Sequence, residues 1–180
     1  MEVNRIFIIG FTAVGKTTIG RRLAKKLGWR FIDTDAFIEE RYHCTVATMV
    51  ESCGIDKFRK REKVTLIEVA QVEQCVVSTG GGMAIYSDNL KRMKERGLVV
   101  FLKASIEVLT ERLFMVQESR PLVSGLDNEG IRSYVTSTLP LRMPYYEEAD
   151  VTIDAEQLTS EEDEERIVNE IINAIHLNKK

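Results

Sequence analysis

The chain is poor in the residues that build special scaffolds, with 3 prolines, 3 cysteines, 2 histidines and 1 tryptophan among 180 residues. With so few prolines, and 11 glycines scattered along the chain, there is no Pro/Gly-rich linker and no sign of a second domain. Residues 1–180 therefore read as one globular unit. Cys44, Cys53 and Cys75 form neither a Cys-x-x-Cys pair nor an even framework, which argues against a disulfide scaffold and a cysteine metal site and leaves ordinary reduced thiols. His43 and His176 have no partner pattern around them and read as structural. Long apolar runs are missing too. Leu98-Val99-Val100-Phe101-Leu102, among the longest, is of strand length, far below the roughly 20 residues of a membrane helix, so no membrane partner is expected. No charged-then-apolar leader with a small-residue cleavage site opens the sequence, and a cytoplasmic location is expected. The net charge of −3 carries no basic bias, which argues against a nucleic-acid duplex or an anionic surface as partner. Internal repeats, coiled-coil heptads and an Asn-Lys-x-Asp guanine-reading motif are absent, so the expectation is a monomer and not a GTPase switch.

What the sequence has is alternation. Short β-type runs at Arg5 to Ile9, Phe31 to Ile32, Cys75 to Ser78, Leu98 to Leu102 and Val151 to Ile153 are separated by segments with amphipathic helical spacing. Those segments lie near 16–27, 34–42, 56–73, 87–96, 105–114 and 128–143. A final helix is predicted from Ser160-Glu161-Glu162-Asp163, an approximate capping box, through the stripe Ile167, Ile171 and Ile175. The pattern predicts an α/β fold: a parallel sheet covered by helices on both faces.

The sharpest signal lies at the first strand. Ile6-Phe7-Ile8-Ile9 runs into Gly10-Phe11-Thr12-Ala13-Val14-Gly15-Lys16-Thr17-Thr18, a Walker A phosphate-binding loop. The glycines let main-chain N–H groups turn inward, and the following helix aims its positive end at bound phosphates. Ala13, Val14, Gly15, Lys16, Thr17 and Thr18 are thus expected to bind a nucleoside triphosphate, with Lys16 on the outer phosphates and Thr17 on Mg²⁺.

In an open α/β sheet ligands sit beyond the carboxyl ends of the strands. Past the second strand stands Asp33-Thr34-Asp35, whose carboxylates suit Mg²⁺ and a hydroxyl nucleophile, or a helix cap. Past the third stands Gly80-Gly81-Gly82, which brings bare main chain against a ligand or makes a plain turn. Phe58-Arg59-Lys60-Arg61-Glu62 is a charge run on a helix, ordinarily a solvated face. Arg120-Pro121-Leu122 offers an arginine on a loop that could close as a lid. Arg142 precedes the fifth strand in Arg142-Met143-Pro144-Tyr145-Tyr146 and, alone, reads as a surface helix residue.

In order and spacing these segments resemble the shikimate kinase family over about residues 5–153. The resemblance implies a three-layer P-loop kinase fold with a five-stranded parallel sheet in order 2-3-1-4-5. It implies transfer of the γ-phosphoryl of ATP to the 3-hydroxyl of shikimate, with Mg²⁺, in aromatic amino-acid biosynthesis. Matched position by position, Asp35, Arg59, Gly81 and Arg142 would hold shikimate, with Asp35 at the reacting hydroxyl and both arginines on the carboxylate. Thr17 and Asp33 fall at the metal positions, and Arg120 at the lid arginine, where it would serve both catalysis and nucleotide binding. The implied lid covers about 113–127 and the substrate-binding helices about 34–63. Ala13 stands where the family often has glycine, and Arg112 is a candidate for stacking on adenine. The chemistry of the acid fits this set, since a carboxylate calls for a planar bidentate cation and a hydroxyl for a carboxylate acceptor. Two other readings keep the loop: a kinase for another small polyol acid such as gluconate, and a nucleotide-gated binding module without catalysis.

Overall fold

Every residue of β1 (Arg5–Ile9) is buried, and because successive side chains of a strand point to opposite faces, both faces of the sheet must be covered. The computed structural model describes residues 3–119 and 122–177. Its strands β1, β2 (Arg30–Asp33), β3 (Cys75–Ser78), β4 (Leu98–Lys103) and β5 (Val151–Asp154) form one parallel sheet in the order β2-β3-β1-β4-β5. Ile6 pairs with Val76 on one side and Leu98 on the other, which sets β1 at the centre. The predicted α/β fold and strand order are both found.

Eight α-helices connect and cover the strands among the described residues: α1 (Lys16–Leu27), α2 (Thr34–Tyr42), α3 (Val46–Cys53), α4 (Ile55–Val69), α5 (Asn89–Arg96), α6 (Ile106–Met115), α7 (Asn128–Tyr146) and α8 (Glu161–Leu177), with a short 3₁₀ turn at Gln117–Ser119. α1 lies close on the sheet because Gly20 has no side chain; a Cβ there would come within 2.6 Å of the Phe31 ring. At the start of α8, Ser160 Oγ accepts from Asp163 N–H while Asp163 Oδ2 accepts from the Ser160 N–H, the reciprocal cap that the sequence suggested.

Most boundaries fall within two residues of the sequence expectation, and three differences are larger. α3 was not expected; it packs with α2 and α4 around a small second core of Ile38, Met49 and Phe58, apart from the main core on the sheet. α4 ends at Val69, short of residue 73, as backbone turns at Gln71 and Val72 redirect the chain toward β3. α7 continues to Tyr146, three residues past the expected end, although Pro140 and Pro144 lie inside it. Both prolines are on the exposed side, where water can satisfy the carbonyls they leave without a partner.

Candidate active site

The strand ends of β1, β2 and β3 open onto a cleft of about 1010 Å³, and the Walker A loop forms its floor. Gly15 has φ 107°, a conformation that glycine adopts without strain, and a Cβ on it would collide with Leu158 from the segment after β5. Ala13 is also left-handed at φ 65°, which gives a physical reason for glycine to be favoured at that position. Lys16 opens α1 and is buried, its Nζ donating to the Gly10 carbonyl at 3.0 Å and the Phe11 carbonyl at 2.7 Å. The first turn of α1 has neither a side-chain cap nor an acidic residue. The positive end of α1 is thus turned to the cleft without an acid to offset it, which favours an anion there.

Asp33 stands at the end of β2, facing this loop. Its Oδ1 accepts from the N–H groups of Asp35 and Ala36 and caps α2, while Oδ2 accepts from Thr17 Oγ1 at 2.7 Å. The cap therefore uses one oxygen of this carboxylate, and the other is held at Thr17. Arg112 crosses from α6 and donates to the carbonyls of Val14, Ala155 and Glu156. These bonds tie the loop to the segment after β5, and Arg112 also lines the cleft.

Beside the loop a smaller pocket gathers Asp35 from α2, Arg59 from α4, Gly81 after β3 and Arg142 from α7. All four predicted acceptor residues are brought together. Arg142 is 6% exposed rather than a surface residue: its guanidinium lies 5.0 Å from the Phe11 ring centre and donates to the Gly81 carbonyl at 3.3 Å. Tyr146, one turn further along α7, donates to the same carbonyl at 2.6 Å and so fixes the glycine loop. The three glycines are needed for approach more than for turning. A Cβ at Gly82 would collide with the Arg59 guanidinium, and one at Gly80 would sit 2.7 Å from both Asp35 Oδ1 and Glu62 Oε1.

Glu62 is the residue that the sequence reading passed over. It is 1% exposed and its Oε2 pairs with Arg59 at 2.5 Å. Burial pushes its carboxyl up to about 7 against the pull of the Arg59 guanidinium, and the neighbouring Asp35 charge pushes the same way as burial. A signal was available: Glu62 lies three residues after Arg59, on the same helix face, so if one turned inward the other would follow. The charge run divides accordingly, with Phe58, Arg59 and Glu62 toward the pocket and Lys57 and Lys60 exposed. Arg120, the expected lid arginine, lies outside the described residues, as does Pro121. Near them, Val123 is anchored in the main core and Leu122 is exposed.

A phosphate loop closed by an inward lysine, next to a pocket that can take an anion and a hydroxyl, defines a P-loop phosphotransferase that acts on a small molecule. Comparison with known proteins sharpens that class. The shikimate kinase family model matches residues 12–176, and the chain belongs to that family. A curated shikimate kinase from Parabacteroides distasonis is 39% identical over 173 residues, covering 96% of this chain and 98% of the relative. A solved shikimate kinase from Bacteroides thetaiotaomicron superposes at TM-score 0.89 with 34% identity, over 97% of this chain and 99% of that one. Another, from Acinetobacter baumannii in complex with shikimate, has TM-score 0.88 and 32% identity, over 98% and 95% of the two chains.

Proposed function

We infer that this chain is an ATP:shikimate 3-phosphotransferase, which converts shikimate and ATP to shikimate 3-phosphate and ADP in aromatic amino-acid biosynthesis. One observation carries the reading: Arg59 and Arg142, on different helices, meet at the Gly80-Gly81-Gly82 loop beside Asp35, in a pocket that adjoins Lys16 through the common wall at Thr12 and Asp35. Two arginines suit one carboxylate, and an aspartate suits the reacting hydroxyl.

ATP lies with its phosphates over Ala13, Val14, Gly15, Lys16, Thr17 and Thr18, held by loop N–H groups and Lys16. Thr17 Oγ1 and Asp33 Oδ2 already lie 2.7 Å apart, two hard oxygen donors that fit Mg²⁺, an ion that keeps most of its shell as phosphate oxygens and water. Among the described residues no cluster of three or more His, Cys, Asp or Glu offers a fuller cage. When bound there, Mg²⁺ neutralises phosphate charge. Lys16 stabilises the charge that develops on the transferred group, and Arg59 and Arg142 hold the acid so that its 3-hydroxyl faces that group. Asp35 orients the hydroxyl and takes its proton as the bond forms. Arg120, by family resemblance, closes over the phosphates from the lid. The protein acts as a monomer in the cytoplasm; among the described residues no helix is long and apolar enough to cross a membrane.

An ADP-release assay with shikimate, gluconate and a nucleoside monophosphate side by side tests the substrate; turnover confined to either of the last two overturns it. Lys16→Ala should lower kcat by at least about 10²-fold. Arg59→Ala should instead raise the shikimate KM, by about 10- to 100-fold for a lost charge-assisted pair, with the ATP KM within a factor of about two. An unchanged shikimate KM in that variant would remove Arg59 from the site.

A further inference from the structure

The acceptor pocket holds one more acid than the reaction needs. Arg59 and Arg142 bring positive charge, and Asp35 and Glu62 bring negative charge, so the pocket is already balanced before an acid enters. Glu62 competes for the guanidinium that the substrate carboxylate requires, through its Oε2 contact with Arg59. Its other oxygen, Oε1, is buried without a hydrogen-bond partner among the described residues, at a distance of 2.7 Å from the place a Gly80 side chain would occupy. Asp35 Oδ1 approaches the same place at 2.7 Å, so the two carboxylates flank the bare Gly80 main chain.

We propose that Glu62 takes up a proton when the acid substrate docks, so that each binding event draws one proton from solution. This rests on the shikimate reading of the pocket. A third carboxylate brought to a site with two guanidiniums leaves a surplus negative charge in a place where burial makes charge costly. The groups that act on Glu62 are Arg59 on its own helix α4, Asp35 from α2 and Arg142 from α7; the Gly80-Gly81-Gly82 loop brings no titratable side chain. Of the acids in reach, Glu62 is the one that can be neutralised without loss to catalysis. Protonated at Oε1, it releases part of the Arg59 charge to the substrate and no longer repels Asp35, which stays ionised for the hydroxyl. In the free protein, burial already holds Glu62 at about 7, and an incoming carboxylate pushes it higher.

The sign follows. A group whose protonation is promoted by binding makes binding tighter as pH falls. The shikimate Kd should be nearly flat below pH about 6 and rise by up to about tenfold per pH unit above 7. Shikimate, as an ordinary carboxylic acid, is ionised throughout this range and contributes no slope.

Isothermal titration calorimetry of shikimate into the whole protein, in buffers of different ionisation enthalpy, counts the protons directly. At pH 8 the wild type should take up close to one proton per shikimate, and at pH 5.5 close to none. Glu62→Gln should take up none at either pH and bind with a Kd that does not change between them. Glu62→Asp, which keeps a titratable group, should retain uptake, and Mg·ATP affinity should be unchanged in both variants if they fold. Wild-type binding at pH 8 with no proton uptake overturns the inference, as does uptake that persists in Glu62→Gln. Should Glu62→Gln fail to fold, the wild-type proton count at the two pH values decides alone. Failure of the wild type to bind shikimate at all would instead overturn the function on which the inference rests.

Discussion

Of the two carboxylate oxygens of Asp33, one holds the first turn of α2 and the other meets Thr17, so structure and chemistry can be separated by a single atom. Asp33→Asn keeps an amide oxygen for the cap and removes the charge. Stability should therefore change by no more than about 0.5 kcal/mol, because asparagine caps helices as well as aspartate does. Turnover should fall at least tenfold and the Mg²⁺ requirement should rise; melting temperature and a Mg²⁺ titration of kcat measure the two effects separately. At this scale the sequence was legible where a residue type has one job. The placement of Lys16 and Thr17 at the start of α1, lining the cleft, was readable from spacing alone, since a strand, a glycine-bounded loop and a helix leave them one position. Glu62 was not, because a glutamate among Lys57, Arg59, Lys60, Arg61 and Lys63 looks like a solvated face until the partner packed against that face is known. Arg142 was hidden for the same reason: its burial comes from Phe11 and Gly81, both more than sixty positions away in the chain.

The helices α2, α3 and α4 carry Asp35 and Arg59 on a core of their own, with Ile38, Met49 and Phe58 at its centre. Three buried side chains make a small core, so this part of the molecule should open more readily than the sheet. Met49→Ala leaves a cavity there and should cost about 2–5 kcal/mol in this subunit of the fold. We expect the shikimate KM to rise about tenfold while the ATP KM stays within a factor of about two, with hydrogen exchange faster in α2 to α4 than in β1, β3 and β4. Equal loss of both substrates would show that the two cores melt together. The strands were legible because β1, β3 and β4 are continuous apolar runs, as strands buried on both faces must be. α3 was not: it has eight residues, two of them valine and one threonine, a β-branched content that argues against a helix until Thr45 caps it and Met49 is buried. The end of α7 was missed because a proline such as Pro144 normally stops a helix, whereas here Pro144 is exposed and water can meet the carbonyl it leaves without a partner.

Taken whole, the molecule is a sheet whose centre makes the nucleotide loop and whose far edge returns to cover it. α8 is bound to α1 through Arg22 with Glu164 and Glu165 and Lys26 with Glu165 and Asn169, and Leu158 presses on Gly15. Nucleotide that binds only the folded chain should stabilise it by about 2.7 kcal/mol at one hundred times its Kd. For a domain of this size that is a rise of about 5–10 °C in Tm. A thermal melt with a non-hydrolysable ATP analogue and Mg²⁺ reads it, and a Lys16→Ala variant should show little of the shift. The closure of the loop by Leu158 and Arg112 has a further consequence in the order of synthesis. Residues 10–18 are made before every strand but β1, whereas the segment from Ala155 to Ser160 that walls them in, and the helix α8 that anchors it, follow all five strands. A nascent chain should therefore gain little from cellular ATP until that segment and α8 have emerged, and its earlier folding must rely on contacts among the elements already made.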